Sequence, residues 1–556
     1  MKQWFLVALA TVSFSLKASN PDDSLLRSRL QQHVAFLASD KLQGRLTGSK
    51  GEKRAYKYLI KEFRKWSLDP SGKSYLQPFT YQAGKELKGK NSCILNGVPL
   101  QFEKDYFPLV LSANGRARGP IVDVGYGLVI SSLNYDSYKG LTDLKGKIFL
   151  MEISTPEGDN PHSPFAPHAD LLQRVKLAHA RGALAVLFTN THPDVEDPRP
   201  DFHRNVADAP IPVAFIRGER WKQLRRSQIN IIDLNVNLKR ITVTGHNVLA
   251  YLSNQAPYTV VVGAHYDHLG YNERGGSTYQ GPPAIHNGAD DNASGTAALL
   301  ELARLLATNG LREQNNFLFI AFSGEEEGLI GSKYFVQNST ISKESINYMI
   351  NMDMIGRYRR EKGLQISGLG TSPAAFAFLD TLKWDSIVVR TSRAGTGPTD
   401  HTSFYHAGIP VLSFFTGTHP DYHKPSDDAH LLNYGAHASI VKLIYHIIQQ
   451  LDAAGKLPFE KTPEADQAAA PAFRVRLGVT PDYAFEGPGM RIEGVNEGQP
   501  AARAGLQKGD VLVQLGDFPI TDVVSYMKAL AAFNKGERVP ARILRNGEQL
   551  TVTITF

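Results

Sequence analysis

Five short stretches of the chain carry imidazoles and carboxylates at spacings suited to metal chemistry. In GAHYDHLG, His265 and Asp267 lie two residues apart, so an extended chain points both side chains to the same side. The other stretches, GADDNASG, FSGEEEGLIG, NMDMIG and DYHKPSDD, contribute the remaining candidates: Asp290, Asp291, Glu325, Glu326, Glu327, Asp353 and His423. Histidine nitrogens and carboxylate oxygens together form a ligand set typical of zinc.

The number of acids in these stretches itself argues for bound cations. A single histidine beside an apolar run is usually structural, and consecutive glutamates usually form a solvated face. Here several predicted strands each end in a carboxylate or an imidazole, and burying so many acids together is very costly unless cations neutralise them. Two divalent ions solve this problem, and zinc is the natural candidate for mixed histidine and carboxylate ligation.

The same stretches follow apolar runs that predict buried strands. TVVVGAH, NNFLFIAFSG, INYMINMDMIG and GIPVLSFF are short and rich in β-branched and aromatic residues. ASGTAALLELARLLATNG, between the first two, predicts a helix with Ser294 near its start and an Asn-Gly stop. Strands alternating with helices predict a layered α/β fold around a mixed, largely parallel sheet. In such sheets ligands collect beyond the carboxyl ends of the strands, where these residues fall.

Taken in order, the five motifs resemble those of the M28 family of zinc aminopeptidases. The resemblance covers roughly residues 24–100 and 241–452 and implies the zinc-exopeptidase fold, a sheet sandwiched by helices. It implies a peptide hydrolase with two zinc ions per chain, in which a glutamate accepts the proton of a water that bridges the metals. A single-zinc acyl transferase like glutaminyl cyclase is the alternative within the fold, and an inactive scaffold that binds peptides is the alternative outside enzymes.

The resemblance also implies a role for each residue of the site. His265 and Asp353 would hold one zinc, Glu326 and His423 the other, and Asp290 would bridge them. Glu325 would be the general base, Asp267 would orient His265, and Tyr422 would stabilise the oxyanion. Asp291 is expected to be structural, and Asp400 to lie outside the metal ligands or on the substrate side. His268 and His286 stand beside the ligands but fall outside the family's ligand set.

Two further regions resemble accessory domains. Residues 101–240 resemble an inserted protease-associated domain, β-rich and of α+β type, through GPIVDVGYGL, DLKGKIFLMEI and LAHARGALAVLF. The catalytic domain is then discontinuous, with segments 20–100 and 241–452. After a linker rich in alanine and proline at 453–471, residues 472–556 resemble a PDZ domain. Its RLGV stretch predicts a peptide-binding loop formed by Leu477, Gly478 and Val479, with binding by strand addition at a sheet edge.

Composition limits the remaining function classes. The chain has 556 residues, enough for two to four domains, and its net charge of +7 is spread without a dense basic block, which argues against a nucleic-acid partner. Residues 1–19 combine Lys2 with a short apolar run and small residues near Ala18, the pattern of a signal peptide. Cys93 is the only cysteine, so no intrachain disulfide can form, and no later segment is apolar enough to span a membrane.

These features together predict an exported aminopeptidase, periplasmic or secreted, that acts on peptides. A dipeptidase or a carboxypeptidase stays open, because motifs at the metal centre do not locate the specificity pocket. A peptide ligand at the PDZ domain is a further possible partner.

Overall fold

A computed structural model describes residues 23–556, with gaps at 159–162, 166–167, 193–194, 196, 203–205, 225–229, 280, 385, 463–474, 482–488, 496–498, 521–522, 531–532 and 534–535. The predicted signal peptide therefore lies outside the described residues. Within them, no helix is both long enough and apolar enough to cross a membrane.

The first of three large sheets has nine strands and carries the predicted motifs. Its strands follow the spatial order Asp69–Pro70, Leu238–Leu252, Asn315–Phe322, Tyr258–His265, Ile346–Met352, Val411–Phe415, Leu364–Ser367 and Val389–Ser392, and Leu76–Leu87 also pairs with Leu238–Leu252. The four strands from Asn315–Phe322 to Val411–Phe415 are mutually parallel. Antiparallel partners flank them on both sides. This arrangement confirms the mixed α/β fold.

Helices cover both faces of this sheet because its central strands are apolar on both faces. Val260 and Val262 pack in one core with the helices Asp23–Leu37, Lys50–Lys65, Gly295–Thr308 and Tyr434–Leu451. Val261, between them in sequence, points to the opposite face and packs in a second core with the helices Ile330–Gln337 and His401–His406. A strand with apolar side chains on both faces needs such a cover on each, as buried parallel strands do. A short helix at Pro373–Phe376 and several 3-10 turns complete this part of the chain.

The second sheet has eight strands and lies between the two parts of the first in sequence. Its strands are Ser92–Leu95, Val98–Pro99, Tyr106–Pro108, Gly115–Asp123, Ile148–Glu152, Ala185–Thr189, Val213–Ile216 and Ile231–Val236. The helices Leu171–Ala180 and Gly218–Leu224 and a small ribbon of Val129–Ile130 with Tyr135–Asp136 accompany it. Ser92–Leu95 pairs with Ile231–Val236 and with Val98–Pro99, so both of these strands belong to this sheet. The predicted boundary at 100 is therefore several residues too late.

The third sheet lies at the C-terminal end of the chain. It contains Val479–Pro481, Met490–Val495, Val511–Leu515, Phe518–Pro519, Arg538–Arg545 and Glu548–Thr555, with the helices Pro500–Arg503 and Val523–Leu530. It has an apolar core of its own, which includes Leu477, Leu512 and Ile543.

Part of the predicted linker before this sheet is packed rather than free. Leu457 is 3% exposed and lies in the core of the first sheet. Its backbone N–H donates to Asn347 Oδ1, and that of Thr462 donates to the Tyr405 hydroxyl. The alanine- and proline-rich composition of 453–471 hid these contacts, because one buried leucine and backbone hydrogen bonds in a polar segment leave no periodic pattern. Residues 463–471 lie outside the described residues.

Candidate metal centre

The predicted site residues gather at one edge of the nine-stranded sheet because parallel strands end there together. His265 is the last residue of its strand and pairs in register with Phe322, the last residue of the next one. Glu325 and Glu326 follow Phe322 after a two-residue turn, and Asp353 follows the strand Ile346–Met352 directly. The carboxyl ends of these strands therefore deliver an imidazole and three carboxylates to one place.

Asp291 comes to the same edge on an irregular loop. The segment Ala289–Ser294 is a distorted π-helical turn that leads into the helix Gly295–Thr308, and the peptide bond between Asp291 and Asn292 is cis. Asp427 holds this loop in place, because its Oδ2 accepts hydrogen bonds from the backbone N–H groups of Asp290 and Asp291 at 2.9 and 3.0 Å. The side chain of Asp291 is thereby fixed toward the strand ends.

Two groups of three potential ligands share Asp291. In the first group, His265 Nε2 lies 3.4 Å from Asp291 Oδ1 and 3.4 Å from Asp353 Oδ1. In the second, His423 Nε2 lies 3.2 Å from Asp291 Oδ2 and 3.2 Å from Glu326 Oε2. Each oxygen of Asp291 therefore faces a different imidazole, as a carboxylate does when it bridges two ions.

The spacing and chemistry of both groups fit metal ions. Two ligands about 2.0–2.1 Å from one tetrahedral zinc lie about 3.3–3.4 Å apart, close to all four distances. Asp353 Oδ1 is buried without a hydrogen-bond partner among the described residues, which a bound cation would satisfy. His265, Asp291 and Asp353 have one donor atom each within 4.8 Å of one another.

The structure does not bring Asp290 into either group, so its assignment as the bridge is corrected. Its Oδ1 accepts the backbone N–H of Gly356 at 2.7 Å, and its Oδ2 lies 3.2 Å from His419 Nε2. Both Asp290 and His419 are fully buried. Adjacent side chains in this turn point in different directions, and it is Asp291, expected to be structural, that faces the two imidazoles.

The adjacent glutamates have opposite electrostatic environments. Burial, with the carboxylates of Asp353 and Asp400, holds the pKa of Glu325 well above its usual value despite the charge of His265. Burial also acts to raise the pKa of Glu326, but His423 and His268 overcome it and hold that pKa well below its usual value. One carboxyl group is thus poised to take a proton and the other to stay ionised, the pattern of a base beside a ligand.

Three further predicted residues surround this centre. Asp267 is fully buried, lies 3.8 Å from His265 Nδ1 and accepts the Thr47 hydroxyl and the Glu325 backbone N–H at 3.0 and 3.3 Å. It therefore ties the imidazole to the glutamate loop, and burial raises its pKa to about 7. Asp400 is also fully buried, and burial raises its pKa to about 6. The Tyr422 ring stacks on His423 with centroids 3.9 Å apart.

His268 and Arg45 contribute to the site although no role in it was predicted for them. His268 Nδ1 lies 2.7 Å from Glu326 Oε1, a hydrogen-bond distance shorter than the separation of two ligands on one ion. It therefore holds Glu326 in place, whereas His423 stands at ligand distance. His286 contacts Ser277 and Ala284 and stays in the loop, as expected.

Arg45 is buried and clamps two loops of the site. Its guanidinium donates to the backbone oxygens of Tyr266 at 2.7 Å, Asn287 at 2.7 Å and Gly288 at 2.9 Å. Burial lowers its pKa to about 10. A lone arginine in a loop carries no sequence signal for this role. In the case of His268, its place one residue after Asp267 was the only available hint.

A cavity of about 640 Å³ opens beside the metal centre. His265, Asp291, Glu325 and His423 form one side of it, and the strands Leu364–Ser367 and Val411–Phe415 contribute to the other. A small molecule or the end of a peptide fits within such a volume.

Two family models match parts of this chain. Residues 247–448, which contain all the groups above except Arg45 and Thr47, match the model of Peptidase family M28. The predicted resemblance to this peptidase family is therefore confirmed for these residues. Residues 474–556 match the PDZ domain. The predicted peptidase and PDZ units are thereby confirmed, and with them the prediction of a peptide hydrolase; the protease-associated domain stays a prediction.

Individual proteins and a solved structure are also similar to this chain. Aminopeptidase YwaD of Bacillus subtilis is 26% identical over 409 residues, which cover 70% of this chain and 77% of the relative. Leucine aminopeptidase 1 of Trichophyton rubrum is 29% identical over 226 residues, 37% of this chain and 58% of the relative. The solved aminopeptidase of Aneurinibacillus sp. strain AM-1 is 22% identical, with a TM-score of 0.48, over 80% of this chain and 99% of its own.

Proposed function

We propose that this protein is an aminopeptidase that holds two zinc ions per chain and removes N-terminal residues from peptides. The observation that carries the proposal is the position of Asp291. Its two carboxylate oxygens stand 3.2–3.4 Å from two different imidazoles, and each imidazole has a further carboxylate at the same range. The relatives named above are aminopeptidases, and mixed histidine and carboxylate ligands suit zinc.

In this proposal five residues hold the ions. His265 and Asp353 bind one zinc, His423 and Glu326 bind the other, and Asp291 replaces Asp290 as the bridge. When bound, two zinc ions supply a water that is nucleophilic at neutral pH and polarise the peptide carbonyl. A complete set of five ligands favours this reading over a cyclase-like transferase with one zinc, and it leaves no missing ligand of the kind expected in an inactive scaffold.

The chain's own residues perform the proton transfers. Glu325 accepts the proton of the attacking water, because its raised pKa makes it a stronger base than an ordinary carboxylate, and later gives that proton to the leaving amine. Asp267 keeps Glu325 in place through the backbone N–H of that residue. Tyr422, beside His423 at the cavity wall, donates a hydrogen bond from its hydroxyl group to the oxygen that becomes negative and keeps its proton.

The PDZ unit adds a candidate second peptide site. Leu477 is buried and accepts the Ala501 backbone N–H, which fixes the turn before Gly478. Val479–Pro481 is at one end of the strand order of this sheet, so a peptide could add to its free edge with its terminal carboxylate at 477–479. Export through residues 1–19 and a protease-associated identity for the second sheet complete the proposal.

Elemental analysis and substrate assays on the same purified sample test this function. Fluorogenic aminoacyl amides should be cleaved, N-blocked versions of the same compounds should not, and the active enzyme should contain close to two zinc ions per chain. One zinc per active chain would favour the cyclase-like alternative. Cleavage of N-blocked peptides or release of C-terminal residues would instead indicate a different exopeptidase or an endopeptidase.

A further inference from the structure

Three neighbouring strands line the cavity with a row of hydroxyl groups. Ser392, Ser367 and Ser413 lie on three neighbouring strands and pair directly in register, Ser392 with Ser367 and Ser367 with Ser413. All three line the cavity. Since residues two apart on a strand share a face, Gln365 extends this polar surface along its strand and also lines the cavity.

The polar row continues beneath the cavity wall. Ser413 pairs in register with Asn351 on the next strand, which is fully buried. Asn351 donates its amide N–H to Thr399 Oγ1 at 3.0 Å, while its amide oxygen has no partner among the described residues. Thr399 lines the cavity itself. The alternate residues Leu364, Ile366 and Leu412 point to the opposite face and into the apolar core, so the polar face is specific to the cavity.

The charges around the cavity belong almost entirely to the metal centre. Beyond those ligands and Glu325, Lys333 is the one charged side chain among the described lining residues. Its amine donates to the backbone oxygen of Gly328 at 2.9 Å. Met354 and Phe415 add apolar surface to the walls. Beyond the centre the cavity therefore has one charged group, Lys333, and its other lining residues combine apolar surface with the hydroxyls of the three serines and the amide of Gln365.

We propose that this cavity selects an uncharged polar side chain, an amide or a hydroxyl, on the N-terminal residue of the substrate. The inference rests on the proposed aminopeptidase function, in which the first peptide bond lies at the metal centre and the first side chain enters the adjoining cavity. An aliphatic side chain there would cover Ser367, Ser413 and Gln365 without hydrogen-bonding to them. Sites built to hydrogen-bond a substrate discriminate strongly against an analogue that lacks the polar group.

Matched aminoacyl amides test the proposal. Asparagine and leucine have similar size and shape, as do threonine and valine, so each pair differs mainly in polarity. We expect kcat/KM for the asparaginyl and threonyl substrates to exceed that of their apolar partners at least tenfold. Ser367→Ala and Ser413→Ala should each reduce the asparagine-to-leucine ratio of kcat/KM at least fivefold. Ser131→Ala, at an exposed serine in the 3-10 turn between Val129–Ile130 and Tyr135–Asp136, is the control and should leave the ratio unchanged.

Each remaining outcome has one meaning. If leucine is preferred over asparagine, the inference is overturned while the aminopeptidase function stands. If aspartate or glutamate is the best first residue, Lys333 rather than the serine row sets the preference, and the inference is again overturned. If no unblocked aminoacyl substrate is cleaved by enzyme containing two zinc ions, the proposed function itself fails. A wild-type preference for asparagine that both serine variants retain would show that the row does not cause it.

Discussion

Changing Asp291 and Asp290 one at a time, each to asparagine, separates the metal bridge from its neighbour. The substitution is chemically the same at both positions, since it removes a negative charge and one acceptor oxygen and keeps the size of the side chain. At Asp291 the lost charge belongs to both ligand groups, because its oxygens lie 3.4 and 3.2 Å from His265 and His423. At Asp290 neither oxygen faces those imidazoles.

The expected losses differ in kind. In Asp291→Asn, both sites keep only one imidazole and one carboxylate as full ligands, so zinc affinity should fall by more than the 10–100-fold typical of losing a partner outside the ligand set. Zinc content should drop from two ions per chain to less than one, and the peptidase activity should be lost as well. In Asp290→Asn, zinc content should stay at two.

Asp290→Asn should instead lose stability. The carboxylate accepts the Gly356 N–H with one oxygen and faces His419 with the other, both in a fully buried site. An amide keeps one acceptor oxygen for the Gly356 N–H but removes the negative charge that faces His419. Losing this buried ion contact should cost about 1–3 kcal/mol of unfolding free energy.

Zinc analysis after dialysis, and urea unfolding of the metal-free proteins, measure the two effects independently. The metal-free proteins are prepared with a chelator. Because zinc is then absent, the free energy of unfolding reports the buried contacts alone. If Asp291→Asn still carries two zinc ions, Asp291 is not the bridging ligand. If Asp290→Asn folds as stably as the wild type yet loses both ions, Asp290 is a metal ligand after all.

Three other predictions follow from the same contacts. Glu325→Gln should keep both zinc ions and lower kcat by roughly 10²–10⁴-fold, whereas Glu326→Gln should lose one ion. Steady-state kinetics and elemental analysis of both variants test this, and an active Glu325→Gln enzyme would contradict the assignment of the base. His268→Phe should weaken one zinc site about 10–100-fold in a chelator competition, because it frees Glu326, while His286→Phe should not; equal effects would argue against the positioning role. Removal of residues from about 465 onward should spare kcat/KM for small aminoacyl amides and reduce it for long peptides, and equal losses for both would indicate a packing role for the PDZ unit.

Sequence alone predicted those parts of the site that regular structure positions. His265 and Asp353 stand at or just beyond the ends of apolar strands, and the alternation within a strand fixes which side chain faces which layer. Once the strands are parallel, their ends must meet at one edge. The motif resemblance added roles for Glu325 and Glu326, and their opposed environments agree with those roles.

Irregular backbone limited the prediction elsewhere. Asp291 and Asn292 have non-helical dihedral angles inside the turn, so no periodic pattern tells which of two adjacent aspartates faces the imidazoles. That choice depends on Asp427, which is more than a hundred residues away and binds the backbone of both. Arg45 likewise acts through main-chain oxygens far along the chain, and a contact with backbone leaves no mark on the partner's residue type.

Adjacent acidic residues in this site therefore differ in role because their side chains point in different directions, although their chemistry is the same. In each pair, Asp290 with Asp291 and Glu325 with Glu326, two side chains of similar type leave the backbone at different angles and meet different partners. The direction is fixed by groups outside the pairs: Asp427 for the aspartates, and His268 for the second glutamate. Substituting such a supporting group should consequently disturb the metal centre while every ligand remains present, and loss of function in this protein need not point to a ligand.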